Sequence, residues 1–276
     1  MEKLRIAQWF ALLLAVAGLL ACTDTDREQK KTGSVTVATA GQSTQSSQPK
    51  PQEQEKDADE DDEGAANPVS APAEKPAPQR ASGQQLIYIF DSDSVGQLPA
   101  KFHSPRTGQG SESTWAVITD PTAPSKPNVV AQTSTDKTDY RFPLLIADEG
   151  SFRDLDLSVK SRAVSGSVDQ AGGLVFRLKD PNNYYIVRAN ALEDNYRLYH
   201  VVDGRRRQFA GANFKVTSGV WHELRVEAVG NKFSCYYDGA KKIDATDDTF
   251  NDAGKVGLWT KADSVTHFDD LKIAAK

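Results

Sequence analysis

Cysteine, methionine, histidine and long apolar runs are all scarce in this chain of 276 residues, which has two cysteines, one methionine and four histidines. Two cysteines are too few for a disulfide framework. The histidines, His103, His200, His222 and His267, are dispersed, so no metal-ligand spacing is evident. No Gly-rich phosphate loop, His-Glu-x-x-His helix or Gly-x-Ser-x-Gly elbow occurs. Many acids are present, but none forms a recognisable pair of glycosidase carboxyls. Basic side chains do not cluster either. Residues 86–276 carry 24 basic and 25 acidic side chains, which excludes the electrostatic footprint of a nucleic-acid binder. The apolar stretch from Ile6 to Leu20 is shorter than the roughly 20 residues that span a bilayer, and it ends at the polar Thr23-Asp24-Thr25-Asp26.

What is present at the N-terminus is a basic start, Lys3 and Arg5, followed by that apolar segment, which is the anatomy of a secretory signal peptide. Leu19-Leu20-Ala21-Cys22 resembles the lipobox of bacterial lipoproteins. The resemblance implies cleavage after residue 21, acylation of Cys22, and membrane attachment through that lipid alone. Thr23, standing where an Asp would imply inner-membrane retention, implies the outer membrane of a bacterial cell envelope. One acyl chain holds only marginally, at about 0.8 kcal/mol per buried methylene, whereas several hold firmly. With Cys22 acylated, Cys235 has no intramolecular disulfide partner. It alternates in phase with Phe233 and Tyr237 and has no base nearby in sequence, so it reads as a buried core thiol.

Residues 22–85 are rich in Gln, Ser, Thr, Pro, Lys and Glu and nearly free of large apolar side chains, so they cannot offset the entropy of ordering. They read as a disordered tether, with an acidic run from Asp57 to Glu63 acting as solvated spacer. A flexible chain of about 60 residues has an r.m.s. reach of roughly 45 Å.

Residues 86–276 form the third segment and have the only composition able to build a core. Short apolar runs separated by turn formers predict strands at residues 86–90, 115–118, 129–132, 140–146, 154–162, 173–179, 184–190, 196–202, 205–210, 221–229, 232–237, 241–245, 254–260 and 265–273. Asp203-Gly204, Gly230-Asn231 and Asp238-Gly239 are two-residue hairpin loops, and Asp180-Pro181-Asn182-Asn183 is a four-residue connection. Successive hairpins without helices predict an all-β sandwich of two antiparallel sheets. Alternation puts Leu224, Val226 and Ala228 on a core face with His222, and Glu223, Arg225 and Glu227 outside.

Gly172 through Arg177, Asp180 through Tyr185, Tyr199 through Gly204, Trp221-His222-Glu223-Leu224, Asp247-Asp248, Gly257 through Ser264 and Phe268 through Leu271 resemble the concanavalin A-like, laminin-G-like jelly roll. More narrowly they resemble the domain family of 3-keto-disaccharide hydrolases. That implies a sugar-handling sandwich with a ligand on one sheet's concave face. The Glu-x-Asp-x-x-Glu strand of laminarinase-type members is absent.

With Asp180–Asn183 as the hairpin loop, Lys179 opposes Tyr184, Arg177 opposes Ile186 and Val175 opposes Arg188, which places Arg177 and Arg188 diagonally on one face. Tyr184 and Asn190 complete a polar patch suited to an oligosaccharide, since arginine offers forked donors and an aromatic ring an apolar face. Tyr199 joins it unless the next strand slips by one residue, which would substitute Leu198 and His200. Trp259 is either core or a sugar platform with Lys261 beside it. Arg205-Arg206-Arg207 suits either an edge-blunting role or an anionic ligand. Asp269 points inward in phase with Leu271 and Ile273. With Asp91 and Asp93 it would suit a structural Ca2+ ion, and hydrogen bonds to backbone amides would serve equally. Three functions remain open: carbohydrate binding; cleavage of a 3-keto-glycoside, with His200 and Arg177 or Arg188 as catalytic groups; and an envelope scaffold for another protein.

Overall fold

The computed structural model describes residues 85–276, so the signal peptide, Cys22 and the tether lie outside the described residues. Sixteen strands, with no helix among the described residues, follow in chain order. They are β1 (Gln85–Tyr88), β2 (Phe102–His103), β3 (Arg106–Gly108), β4 (Trp115–Thr119), β5 (Asn128–Gln132), β6 (Arg141–Ala147), β7 (Leu155–Ser165) and β8 (Ala171–Asp180). Then come β9 (Asn183–Asn190), β10 (Asn195–Val202), β11 (Arg205–Asn213), β12 (His222–Val229), β13 (Lys232–Tyr237), β14 (Ala240–Thr246), β15 (Lys255–Thr260) and β16 (Val265–Ala275). Only β2 and β3, two and three residues long, escape the strand pattern of the sequence.

The strands pair antiparallel in two sheets of eight. The first runs β14-β13-β12-β7-β16-β5-β4 with β1 on β16; the second runs β11-β10-β9-β8-β15-β6-β2 with β3 on β6. One edge of β16 meets β7, and the other is shared by β5 and β1. This is the two-sheet jelly-roll sandwich that the alternating strands predict.

Turn chemistry fixes the hairpins. Asp203-Gly204 (φ 49° and 79°) and Asp238-Gly239 (φ 49° and 75°) both have the positive φ pair of a type I′ turn. At Gly230-Asn231 only Gly230 is positive, at 57°, as a type II′ turn requires.

Strand alternation builds the core between the sheets. Leu155, Leu157 and Val159 of β7 and Leu224, Val226 and Ala228 of β12 meet Leu174, Phe176, Tyr185, Val187 and Leu198 from the second sheet. Cys235 is fully buried among them, and burial pushes its thiol up. His222 is half-buried, stacked on Tyr237 with its Nδ1 2.7 Å from Asp238 Oδ2.

The second sheet is buried on both faces. Its outer face carries a second cluster containing Phe142, Leu144, Ile146, Val175, Tyr184, Ile186, Tyr199, Val201 and Trp259. This explains why β9 reads as a continuous apolar run instead of an alternating one.

One register expectation is corrected. Asp180 does pair with Asn183, but a bulge between Phe176 and Asp180 shifts every partner by two residues. Val175 therefore opposes Ile186, and Gly173 opposes Arg188. Arg177 sits in this bulge at φ 50° and leaves the ladder.

Candidate functional site

The outer face of the second sheet places five of the predicted residues together. Pairing aligns Trp259, Gly173, Arg188 and Arg197 in one row across β15, β8, β9 and β10, and Ala171, Asn190 and Asn195 in the next. Tyr199 pairs with Ile186, which fixes the β10 register and puts Tyr199 on the face of Arg188. Gly173 lets Arg188 pack closely against β8, with no room for a side chain between them. A Cβ there would lie 2.6 Å from Val187 O and 2.8 Å from Arg188 Cβ.

Arg188, 4% exposed, is the hub. Its Nη2 donates to Tyr199 Oη at 2.8 Å and to Glu193 Oε2 at 3.0 Å, and its Nη1 donates to Asn195 Oδ1. Asn195 Nδ2 also donates to Glu193 Oε2, at 2.9 Å. Beside this group Asp169 is fully buried; its Oδ1 accepts from Asn190 Nδ2 at 2.7 Å, and Lys261 Nζ lies 3.3 Å from its Oδ2. Lys261 reaches the rim, where its Nζ lies 2.8 Å from Asp139 Oδ1.

The two carboxyls are driven apart. Burial raises Asp169, and the charges of Arg188 and Lys261 offset this only in part. Burial acts on Glu193 in the same sense, but the Arg188 charge and hydrogen bonds from Asn195 and Arg188 outweigh it and hold that carboxyl low. Asp169 and Glu193 thus shift in opposite directions within the field of one guanidinium.

A roof of rings and one cation closes the adjoining part of this face. Trp259 is buried and stacked on Phe142, with ring centroids 5.4 Å apart, so it is not an open sugar platform. Arg206 covers it. Tyr140 holds the hairpin that carries Arg206: its hydroxyl donates to Gly204 O at 2.7 Å and accepts from Arg206 N at 3.3 Å. Tyr184 lies deeper, its hydroxyl 2.9 Å from Thr107 Oγ1, and burial pushes it up to about 12.

Two of the residues assigned to catalysis are elsewhere. Arg177 is fully buried away from the Arg188 cluster, where its guanidinium donates to Arg153 O, Phe250 O and Gly230 O at 2.8, 2.8 and 2.5 Å. The β8 bulge put it there. His200 alternates to the opposite face from Tyr199, stacks on Phe209 and sits 3.1 Å from Asp247 Oδ2.

The acids proposed for calcium are held by backbone amides. Asp269 accepts from Ser125 N at 2.8 Å and Asp270 N at 2.7 Å, Asp91 from Asn128 N at 3.0 Å and Asp93 from Ala100 N at 2.9 Å. Among the described residues no group of three or more His, Cys, Asp or Glu could hold a metal ion. The amide alternative accounts for all three.

Asp169, Glu193, Asn195, Asp139 and Tyr140 were not legible as site residues. Asp169, Glu193, Asp139 and Tyr140 lie in the connections 166–170, 191–194 and 133–140, and Asn195 begins β10 directly after one of them, so the sequence carries no periodic signal for their placement. Arg206 did carry one: alternation after the Asp203-Gly204 turn separates it from Arg205 and Arg207.

No protein-family model matches the chain, and no curated protein does. Among solved structures it is similar in fold to the carbohydrate-binding module CBM66 from Bacillus subtilis, with a TM-score of 0.52 and 21% identity, covering 63% of this chain and 96% of that one. A Bacillus subtilis protein of unknown function with a galectin-like fold has a TM-score of 0.48 and 12% identity, over 70% of this chain and 97% of that one. The VIP36 exoplasmic/lumenal domain in a Ca2+- and mannose-bound form has a TM-score of 0.48 and 11% identity, over 70% and 89%.

Proposed function

We propose that this chain is a carbohydrate-binding protein whose ligand lies on the outer face of the second sheet, over Arg188, Glu193, Asn195 and Tyr199. The observation that carries this reading is the Arg188 cluster, in which donors and acceptors alternate within hydrogen-bond distance at the edge of a tyrosine ring. Vicinal sugar hydroxyls both donate and accept, so they match a cluster of this kind. CBM66, which shares the fold, is named as a carbohydrate-binding module, and this supports the same chemistry here. The lipobox-like Leu19-Leu20-Ala21-Cys22 supports a second element of the proposal, that the domain is displayed from the outer membrane of a bacterial envelope on a lipid anchor.

The test is a glycan-array screen followed by titration of Arg188→Gln and Glu193→Gln. Each variant is expected to weaken binding at least about 10-fold, since each removes charge-assisted hydrogen bonds, with the β-sheet circular dichroism unchanged. Unchanged affinity in both would remove the site assignment.

The opposed carboxyls favour one second reading, cleavage of a 3-keto-glycoside. Two carboxyls shifted in opposite directions beside one guanidinium are the arrangement that acid–base chemistry uses. On that reading Asp169 is the proton donor and Glu193 the base, in place of His200 and Arg177. Turnover of a 3-keto-disaccharide that is abolished by Glu193→Gln would favour it, whereas stable binding without product favours the binding module.

A further inference from the structure

The basic triplet after the β10–β11 turn has no task in the carbohydrate reading as it stands. Arg205 and Arg207 are exposed, while Arg206 is half-buried and folds over the outer face of the second sheet. Its guanidinium carbon lies 4.6 Å from the Tyr199 ring centroid, 4.9 Å from that of Phe142 and 5.8 Å from that of Trp259. Nη1 is buried without a hydrogen-bond partner, and no ion pair among the described residues includes Arg206. Lys261 is near enough for the two cations to oppose one another.

A guanidinium keeps its charge when water is withdrawn, so an unmet N–H there is unfavourable, and attraction to ring faces offsets only part of that. Arg188 Nε, a second buried donor on this face, also lacks a partner. The acceptor side is uneven. Glu193, whose side chain is 43% exposed, stands at the Arg188 end and would repel an anion, and Lys261 is paired with Asp139 and Asp169, whereas Arg206 has no carboxylate partner among the described residues.

We propose that the site takes a carboxylate-bearing sugar residue of the uronic acid class, its carboxylate on the half-buried Arg206 guanidinium and its ring hydroxyls on Arg188, Glu193 and Asn195. The planar carboxylate matches the fork of a guanidinium, and the hydroxyls match a cluster that can both donate and accept. This rests on the carbohydrate reading and narrows its ligand.

The test titrates the full chain with matched pairs of oligosaccharides, galacturonan against galactan and mannuronan against mannan, at low and high salt. Arg206→Gln and the exposed control Arg207→Gln are run beside it, with thermal unfolding to confirm their fold. One acid of the two pairs is expected to bind at least about 10-fold tighter than its neutral counterpart. That advantage shrinks with salt, disappears in Arg206→Gln and persists in Arg207→Gln. Equal affinity within both pairs, or an acid preference that survives Arg206→Gln, overturns this inference and leaves the carbohydrate reading standing. Failure of the folded wild-type chain to bind these oligosaccharides or any member of a broad glycan panel overturns both.

Discussion

Arg177 and Arg188 are buried guanidinium groups on adjacent strands, and their partners assign them different work. Arg177 donates to carbonyls from three separate loops and packs over Phe233, 5.4 Å from the ring centroid, so it ties chain to chain. Arg188 donates only to side chains, those of Asn195, Glu193 and Tyr199. Arg177→Met leaves buried carbonyls without donors and is expected to cost about 3–5 kcal/mol, read as a lowered urea midpoint, while the protein that stays folded keeps its glycan affinity. A loss of affinity at full stability would return Arg177 to the site. Asp269 gives a pH signature. Burial pushes its carboxyl from 3.8 up to about 6, against hydrogen bonds from the Ser125 and Asp270 amides. Between about pH 4 and 6 the folded chain therefore holds a proton that the unfolded chain has released, so this group's contribution is complete below that window and is lost as pH rises through it. The amplitude is at most about 3 kcal/mol. Asp120 and Glu227, both lowered to about 2, act in the opposite sense at lower pH. The difference between wild type and Asp269→Asn isolates the effect. Denaturation across pH 4–7 should show a flatter decline in the variant, and equal slopes would remove Asp269 as the cause.

At the scale of the element, the β8 bulge decides what the site contains. It moves Arg177 out of the ladder and brings Gly173 opposite Arg188, which lets Arg188 pack closely against β8. Gly254 makes the bulge possible by packing against it: a Cβ on Gly254 would lie 2.4 Å from the Arg177 carbonyl carbon. Gly254→Ala is expected to destabilise by about 1–3 kcal/mol and to weaken glycan binding as the bulge shifts, checked by melting and titration. Gly219→Ala, with open space around it but φ 76°, should cost about 1 kcal/mol and leave binding intact. The bulge also marks the limit of what the sequence discloses. Fourteen strands and the turns Asp203-Gly204 and Asp238-Gly239 follow from period-two alternation and from residues that tolerate positive φ, both of which are local. A bulge at Phe176-Arg177 has no such marker, since Arg177 adopts φ 50° only because Gly254 and three carbonyl acceptors hold it there. Arg188, Asn190 and Tyr199 were legible together because they share strand faces. Asp169 and Glu193 lie in loops and reach the site only through tertiary contact.

At the scale of the whole molecule, residues 86–276 are close to electroneutral, so the attraction proposed for an acidic glycan rests on local placement of Arg206 and not on a general basic field. The proposed anchor is separable from the domain. Cys22→Ser is expected to move the protein from the membrane fraction to the soluble fraction without altering glycan affinity, and retention on membranes would count against lipidation. The position of β16 has its own consequence. It is the latest of the described strands to leave the ribosome, yet it lies inside the first sheet, bordered by β7 on one edge and by β5 and β1 on the other. Until residues 265–275 arrive, β7 and β5 each present an open edge, and β1 waits for a partner nearly two hundred residues downstream. Contacts of such separation form slowly. A chain built in this order cannot close its first sheet until nearly all of residues 85–276 have been made.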